Sequence, residues 1–362
     1  MRVAIIDADL IGRKKHRFPN LVCMKLSAYH KNIGDAVELK LDYDNLDNYG
    51  KVYIAKVFTD TEVPATVLKM ENVKYGGTGF FYDKAESLPP YIEHIFPDYH
   101  LYDSWASEQL SRGVSKTSVA AYTDYSIGYL TRGCFRRCPF CVNRNYNKVN
   151  KHSPLEEFLD PARPKIILLD DNFLGCEKWR ELLNTLKESK KCFQFKQGLD
   201  ERLLTSEICK ELFSSKYDGD YIFAFDNVKD AEIIRRKLVM ARKFTSRVLK
   251  FYCFCGYDWN GKWANSFWEN DIKDLFIRIK ILMENKCLPY VMRFSRYSES
   301  PYRGMYISLA RWCNQPAMFK KLSLIEFAEL NGKKSACYKY LMSYLSTHPE
   351  MEAYFTMRFQ TD

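Results

Sequence analysis

Between residues 126 and 294, short apolar runs alternate with helix-length amphipathic segments. The apolar runs predict strands at residues 126–132, 166–169, 192–197, 221–225, 248–255 and 289–294. The segments between them predict helices at residues 178–189, 207–214, 230–244 and 271–285. Strands joined by crossover helices run parallel, because the connection returns each strand to the same end of the sheet. The pattern therefore predicts an α/β fold with parallel strands.

The number of strand–helix units limits which parallel α/β architectures residues 125–300 can form. Six strand–helix units are too few for a closed eight-fold barrel, so residues 125–300 are predicted to form an open, partial (β/α)6 barrel. Residues 1–110 also alternate between strand and helix and predict a Rossmann-like α/β domain. We expect residues 111–124 to be a linker. Residues 301–362 are expected to be a helical extension that closes the open side of the barrel.

The length and composition exclude several classes of protein. The chain has 362 residues and ordinary globular composition, with no apolar stretch long enough for a membrane span. The first apolar run ends at Asp7 and is too short for a signal peptide, so we expect a soluble, cytoplasmic protein. In that compartment, 12 cysteines indicate reduced thiols and a possible metal site.

The net charge of +10 is carried by one part of the chain. Residues 1–226 hold 32 basic and 32 acidic side chains, whereas residues 227–362 hold 23 and 13. A solvated surface explains this excess as well as an anionic substrate or a nucleic acid does.

The strongest chemical signal is the segment LTRGCFRRCPFCVNRN at residues 130–145. It places Cys134, Cys138 and Cys141 in CxxxCxxC spacing directly after the first predicted barrel strand. Iron–sulfur clusters are usually held by four cysteine thiolates, so three in one loop leave one iron open to another ligand. A zinc site and ordinary buried cysteines are the alternatives. Zinc is disfavoured because the nearest histidine, His152, belongs to no ligand pattern.

At these residues the sequence resembles the radical S-adenosylmethionine (SAM) superfamily, with Phe140 at the aromatic position of the motif. The resemblance implies a [4Fe–4S] cluster on Cys134, Cys138 and Cys141, whose open iron chelates SAM. Reductive cleavage of SAM then gives a 5′-deoxyadenosyl radical that abstracts hydrogen from a substrate. The family fold is a partial (β/α)6 barrel. The implied partners are SAM and a reductant such as flavodoxin or ferredoxin.

Further segments are similar to the branch of the superfamily that carries an N-terminal cobalamin-binding domain. They are residues 168–175, 195–204, 223–227, 251–258 and 289–294. The resemblance implies that Phe140 offers its backbone to the adenine and that Gly256 also lies at the adenine. It implies that the methionine amino group lies near Asp170, Asp171 and Asn172, although the usual Gly-Gly-Glu form is absent. The resemblance also implies that the ribose or the carboxylate of SAM is bound by Gln197, Asp200, Arg202 and Asp226. Arg293 is expected to bind SAM or an anionic substrate.

Each of these positions also has a purely structural interpretation. The acidic and amide residues follow predicted strands and could cap helices, Gly256 could serve only a turn, and Arg293 could form a surface ion pair. The other nine cysteines do not recur at close spacing and predict buried apolar thiols rather than a second cluster.

The N-terminal domain resembles a cobalamin-binding domain without its cobalt-ligating histidine. The common signature is DxHxxG, and the string DADLIG at residues 7–12 has Asp9 at the histidine position. An aspartate is a poor replacement for imidazole on cobalt, and about 110 residues is short for enclosing a corrin. Some members of this branch bind cobalamin without the histidine. Cobalamin is therefore a disfavoured but allowed cofactor, and YGGTGF at residues 75–80 is predicted to be a tight turn.

Residues 293–321 interleave basic and aromatic side chains. The basic ones are Arg296, Arg303, Arg311, Lys320 and Lys321, and the aromatic ones are Tyr297, Tyr302, Tyr306 and Trp312. Such a segment suits nucleic-acid binding, and it equally suits helical packing with the arginine heads in water. The sequence therefore supports two hypotheses. The first is a radical SAM enzyme with an unidentified substrate, and the second is a non-catalytic iron–sulfur or zinc protein that binds nucleic acid.

Overall fold

The computed structural model describes residues 1–14, 16 and 18–359. The protein is mixed α/β with parallel sheets, as the alternating pattern predicts. It divides into two compact units between Lys196 and Gln197. None of the helices in the described ranges has the length and apolar character needed to cross a bilayer.

The first unit contains nine strands and seven α-helices within the described ranges. The strands are β1 (Arg2–Asp7), β2 (Ala36–Leu39), β3 (Lys51–Ala55), β4 (Val73–Gly76), β5 (Tyr125–Gly128), β6 (Thr131–Arg132), β7 (Asn150–Lys151), β8 (Lys165–Leu168) and β9 (Cys192–Phe195). The helices are α1 (Ala8–Gly12), α2 (Leu21–Asn32), α3 (Thr78–Phe81), α4 (Pro90–Glu93), α5 (Asp103–Ser111), α6 (Lys116–Thr123) and α7 (Trp179–Glu188).

Two parallel sheets form the framework of this unit. The first has the strand order β2-β1-β3-β4 and the second the order β5-β8-β9. Successive residues of β1 point to opposite faces, and both faces are covered. Ile5 packs in a cluster with α2, α5 and α6, whereas Ala4 and Ile6 pack in a separate cluster with Val52 and Ile54 of β3. This double burial explains the uninterrupted apolar run at the start of the chain.

Helices α5 and α6 belong to the core of the first unit. Residues 111–124, which the sequence predicts to be a linker, contain α6 with Val119 and Tyr122 buried. Trp105 of α5 packs against the Tyr122 ring at a centroid distance of 4.5 Å. The Tyr99 hydroxyl donates to the Phe158 carbonyl at 2.6 Å, which ties the segment before α5 to the β5–β8 connection. The periodicity is weak here because aromatic side chains, rather than an aliphatic stripe, carry the burial.

The strand predicted at residues 126–132 is wrong in one respect, because the chain leaves the sheet after Gly128. A Cβ at Gly128 would lie 2.3 Å from the Phe158 ring, so the ring occupies that space. The backbone N–H groups of Leu130 and Thr131 then donate to the Asp170 carboxylate, at 3.2 and 2.7 Å. Strand β6 instead pairs antiparallel with β7. At this point the Asp170 side chain, rather than a neighbouring strand, accepts the backbone hydrogen bonds.

The second unit contains three strands and eight α-helices within the described ranges. The strands are β10 (Tyr221–Ala224), β11 (Leu249–Cys255) and β12 (Leu288–Arg293), and they form a parallel sheet in that order. The helices are α8 (Ser206–Phe213), α9 (Ala231–Ala241), α10 (Asn265–Glu284), α11 (Arg303–Cys313), α12 (Pro316–Phe319), α13 (Leu324–Leu330), α14 (Ala336–Thr347) and α15 (Glu352–Thr356).

Strand β11 and helix α10 show how the second sheet is buried. Alternate residues of β11 are fully buried, including Phe251, Cys253 and Cys255. The two cysteines therefore share one face of the strand, as their spacing predicts. Arg278 on α10 is also buried, and its Nη1 donates to the carbonyls of Phe225 and Phe254, at 2.8 and 3.0 Å. This arginine satisfies backbone acceptors near the ends of β10 and β11.

Candidate functional site

The CxxxCxxC segment forms an irregular loop between β6 and β7. Cys134, Cys138 and Cys141 are all partly exposed, and no disulfide joins any cysteines in the described ranges. The backbone N–H of Arg136 donates to the Sγ of Cys134 at 3.5 Å, and the N–H of Asn143 donates to the Sγ of Cys141 at 3.4 Å. These two hydrogen bonds fix the position of both sulfur atoms relative to the loop backbone.

Asp171 holds both ends of this loop. One carboxylate oxygen accepts from the backbone N–H of Gly133 at 2.7 Å, and the other accepts from Nδ2 of Asn143 at 2.7 Å. Gly133 has a φ of +98°, which favours glycine at the point where the loop leaves β6. Asp171 is therefore a positioning residue for the cysteine loop, and Asn143 is a partner that sequence reasoning missed.

Asp170 is committed to the backbone next to the loop. Its side chain is only 2% exposed and accepts three hydrogen bonds. Two come from the N–H groups of Leu130 and Thr131, and the third comes from the Thr131 hydroxyl at 2.6 Å. Burial raises the pKa of Asp170 to about 7. Both oxygens of Asp170 therefore hold the backbone where the chain leaves β5.

Asn172 is the residue of this trio with an unused polar atom. Its Nδ2 donates to the Sγ of Cys134 at 3.4 Å. Its side chain is 3% exposed, and Oδ1 has no hydrogen-bond partner among the described residues. A buried acceptor without a donor costs free energy, roughly 1–3 kcal/mol, unless a ligand supplies the donor. The geometry thus separates Asn172 from the two aspartates.

The turn that follows α3 also contacts the cysteine loop. The Tyr82 hydroxyl, just after α3, donates to the carbonyl oxygen of Phe140. Asp83 accepts from Nε and Nη2 of Arg144, both at 2.7 Å, and its backbone carbonyl accepts from Asn145 at 3.0 Å. The Phe140 carbonyl, expected to face adenine, is therefore already hydrogen-bonded. No motif marks Tyr82 and Asp83 in the sequence, because their role depends on the packing of two sheets.

The side chains of the cysteine loop are of the chemical type that binds an iron–sulfur cluster. Three thiols in one loop, two of them accepting backbone N–H bonds, supply three of the usual four cysteine ligands. The unpaired Oδ1 of Asn172 belongs to the same side chain whose Nδ2 contacts the Cys134 sulfur. Among the described residues, no group of three or more His, Cys, Asp or Glu side chains is arranged to hold a metal ion. The three sulfur atoms are thus not gathered around one point.

In the second unit, Asp200 and Arg202 form a local ion-pair network. The carboxylate of Asp200 accepts from Nε of Arg202 at 2.8 Å, and Nη1 of Arg202 donates to Asp230 at 2.8 Å. Asp200 also caps the short helical turn that begins at Glu201. Gln197 is exposed at the start of the unit. In this structure Asp200 therefore acts as a helix cap, which is the structural interpretation of this position.

Asp226, Gly256 and Arg293 lie at the carboxyl ends of β10, β11 and β12. Asp226 accepts from the N–H of Phe254 at 2.9 Å, and burial raises its pKa. Gly256 adopts a φ of +77° and donates its N–H to Asp271 at 2.7 Å. The exposed Arg293 places its guanidinium 4.4 Å from the centroid of the Tyr297 ring. These three expected positions share one edge of the sheet, as parallel strands require.

The DADLIG string places Asp9 in a structural role. Asp9 is buried and accepts from the N–H of Val57 at 2.6 Å and from the hydroxyl of Thr61 at 2.5 Å. Both oxygens are therefore used to hold the loop after β3. Gly77 and Gly79 of the YGGTGF segment have no room for a Cβ against Lys56, which is consistent with a tight strand-to-helix turn.

Asp7 provides a test of the buried polar network in this domain. Burial raises its pKa to about 7, although the Tyr102 hydroxyl donates to it at 2.9 Å. The native pKa exceeds the unfolded value of about 3.9. As the pH falls, Asp7 is therefore protonated in the native state at a higher pH than in the unfolded state. The unfolding free energy of wild type relative to Asp7→Asn should therefore rise by about 2–3 kcal/mol as the pH falls from about 8 to about 5. Urea titrations of both proteins across this range measure the effect, and parallel pH profiles would contradict it.

The basic and aromatic segment near the C-terminus is largely packed into the second unit. Tyr306 and Trp312 are fully buried, and their polar atoms donate to Asp271 and to the Leu322 carbonyl. Arg296 forms a two-pronged pair with Glu299 and stacks on Trp263. Two of the aromatic side chains expected to stack on bases are therefore inaccessible to nucleic acid.

Comparisons with known proteins add no family to this picture. No protein-family model matches the chain, and no curated protein has a significantly similar sequence.

Proposed function

We propose that the protein is a radical SAM enzyme that binds a [4Fe–4S] cluster through Cys134, Cys138 and Cys141. The observation that carries this proposal is the three-thiol loop held by Asp171 beside the buried, unpaired Oδ1 of Asn172. The strand orders β5-β8-β9 and β10-β11-β12, parallel and in chain order, support the partial (β/α)6 barrel of that family. The parallel N-terminal sheet, covered on both faces, supports the Rossmann-like domain.

In this proposal the chain's own residues position, bind and shield the reactants. When bound, the cluster supplies one electron that cleaves SAM reductively to a carbon radical. Asp170 keeps the junction between β5 and the loop in place through three hydrogen bonds. Asp171 holds Gly133 and Asn143, and so limits where the thiols can move when they close on iron. A small acidic one-electron carrier is the reductant class, and the open iron predicts sensitivity to oxygen.

Asn172 is the residue that we assign to the SAM amino group. An amine on the open iron would keep N–H donors that need acceptors, and the Asn172 Oδ1 is the buried acceptor left unused beside the loop. The carboxylate oxygens of Asp170 and Asp171 already accept hydrogen bonds from the loop and from its junction with β5. These hydrogen bonds support Asn172, rather than either aspartate, as the residue of the trio that binds SAM.

Replacing Asn172 by alanine is expected to weaken SAM binding without removing the cluster. A hydrogen bond to a charged group contributes about 1.5–3 kcal/mol, so the KM for SAM should rise roughly 10- to 100-fold. Asn172→Asp retains an acceptor oxygen and should bind SAM better than the alanine variant. Iron content, measured alongside, should match wild type. An unchanged KM in Asn172→Ala would remove Asn172 from the SAM site.

The direct test of the proposed function is anaerobic reconstitution with iron and sulfide, followed by incubation with SAM and dithionite. We expect a brown protein with a broad visible absorption band, and formation of 5′-deoxyadenosine detected by chromatography. A protein that takes up zinc but no iron–sulfur cluster, or that carries a cluster and does not cleave SAM, would overturn the proposal. The same preparation incubated with hydroxocobalamin shows whether a corrin is retained.

A further inference from the structure

A cleft of about 400 Å³ opens in the second unit at the carboxyl ends of β10 and β11. The loops that follow these two strands form one wall, and helix α10 forms the other. The volume lies in the range of small-molecule sites in proteins, about 300–1,000 Å³. Of the residues that the resemblance assigns to SAM, Asp226 lines this cleft and Asn172 does not.

Four aspartates line the cleft, and they differ in how many of their oxygens are used. Asp258 is fully engaged, because it accepts from three backbone N–H groups of its own loop. Asp226 and Asp271 each have one oxygen engaged with backbone N–H groups near the ends of β11. Asp274 has no hydrogen bond to any described residue. The cleft therefore presents uncommitted carboxylate oxygens from three side chains.

Arg278 lines the same cleft and has an unused donor. Its side chain is 1% exposed, and its Nη1 is held by two backbone carbonyls. Its Nε has no hydrogen-bond partner among the described residues. The Arg278 charge lies close enough to Asp226, Asp271 and Asp274 to lower the pKa of each, against the upward effect of burial. A buried N–H of this kind indicates an acceptor that is supplied from the cleft. Carboxylates outnumber Arg278 and Lys229 here, so the cleft attracts a cation.

Three aromatic side chains also line the cleft. Tyr257, Trp259 and Phe267 line it, and Trp259 is 47% exposed. An exposed tryptophan beside carboxylates is suited to an organic ammonium, because the ring face attracts the cation and covers its carbon skeleton. A hydrated metal ion would gain nothing from this apolar wall.

The geometry points to a small amino alcohol as the ligand of this cleft, with its ammonium on Asp274 and Asp226 and its neighbouring oxygen on Nε of Arg278. Such a ligand satisfies the unused acceptors and the unused donor together. The binding of this ligand does not depend on the proposed function. The cation specificity differs from the anionic substrate that the net charge of +10 suggests.

The test is calorimetric titration of the full chain with D-glucosamine, with D-glucose as the neutral probe of the same shape. We expect saturable binding of glucosamine and at least tenfold weaker binding of glucose. Asp274→Asn should weaken glucosamine binding at least tenfold, which corresponds to about 1.4 kcal/mol. The variant should still unfold cooperatively, since Asp274 holds no structural hydrogen bond, and a melting curve checks this. Trp259→Ala should also weaken binding, whereas the exposed Asp47→Asn in the first unit should not.

Several outcomes would overturn the assignment. They are equal binding of glucosamine and glucose, undiminished binding in Asp274→Asn, absence of saturable binding, and complete displacement of glucosamine by SAM, which would assign the cleft to the cofactor. The Cys134→Ser variant separates this inference from the proposed function, because it should bind glucosamine as wild type does. Binding without any SAM cleavage by wild type would refute only the proposed function, and SAM cleavage without glucosamine binding would refute only the assignment of the cleft.

Discussion

Replacing Cys134 by serine is expected to abolish cluster assembly and SAM cleavage. The serine hydroxyl can still accept hydrogen bonds from the N–H of Arg136 and from Nδ2 of Asn172, so the loop keeps its local contacts. A hydroxyl does not replace a thiolate on iron, and loss of one of three ligands leaves the cluster without a stable site. We expect iron content to fall from about four per chain to near zero. Formation of 5′-deoxyadenosine should drop at least ~100-fold.

Cys192→Ser is the matched control for this experiment. Cys192 lies on β9, is partly exposed and stands outside the CxxxCxxC segment. The control should retain iron, sulfide and activity after the same reconstitution. Equal unfolding curves for the two serine variants would show that the loss in Cys134→Ser concerns metal binding and not folding. A Cys134→Ser protein that still assembles a cluster and cleaves SAM would contradict the ligand assignment.

Replacing Asp170 by alanine is expected to cause the largest loss of stability among the strand-end residues. The change leaves the N–H groups of Leu130 and Thr131 and the Thr131 hydroxyl without their acceptor in a buried place. Each unsatisfied buried donor costs roughly 1–3 kcal/mol, so we expect the unfolding free energy to fall by about 3–5 kcal/mol. Urea unfolding followed by far-ultraviolet circular dichroism measures the change.

Asp170→Asn distinguishes the hydrogen bonds from the space that the side chain fills. It keeps the shape and one acceptor oxygen, so its loss should be smaller, about 1–2 kcal/mol. Asp47→Ala, at an exposed position of the same unit, should change stability by less than about 0.5 kcal/mol. An Asp170→Ala protein as stable as the Asp47 variant would show that Asp170 does not hold the β5–loop junction.

The parallel α/β character follows from the sequence because strand and helix alternation is a local pattern. Helices α7 and α8 begin and end within one residue of the predicted ranges. The strand expected at residues 126–132 was interrupted because Asp170, about 40 residues later, takes over two backbone donors. A window of neighbouring residues does not contain that information. Helix α6, where a linker was expected, likewise packs against residues that are distant in sequence.

Some residues around the cysteine loop follow from the sequence, whereas Asn143, Tyr82, Asp83 and the division of roles do not. Cysteine spacing identifies the thiol loop, and the position of Asp170, Asp171 and Asn172 after a strand places them at the same edge. Their hydrogen bonds then separate two positioning aspartates from one asparagine with an unused acceptor. Tyr82 and Asp83 join the site through contacts across about 60 positions of sequence.

The sequence alone determined the class of secondary structure, the parallel sense of the strands and the presence of three thiols in one loop. Each of these depends on spacing over a few residues, where side-chain periodicity and loop length act directly. Only the tertiary structure decided which buried polar atoms have partners, that Tyr306 and Trp312 are core residues, and that a cleft with unused aspartate oxygens faces an exposed tryptophan. Partnering and burial depend on segments that meet only after folding, so neighbouring residues do not specify them.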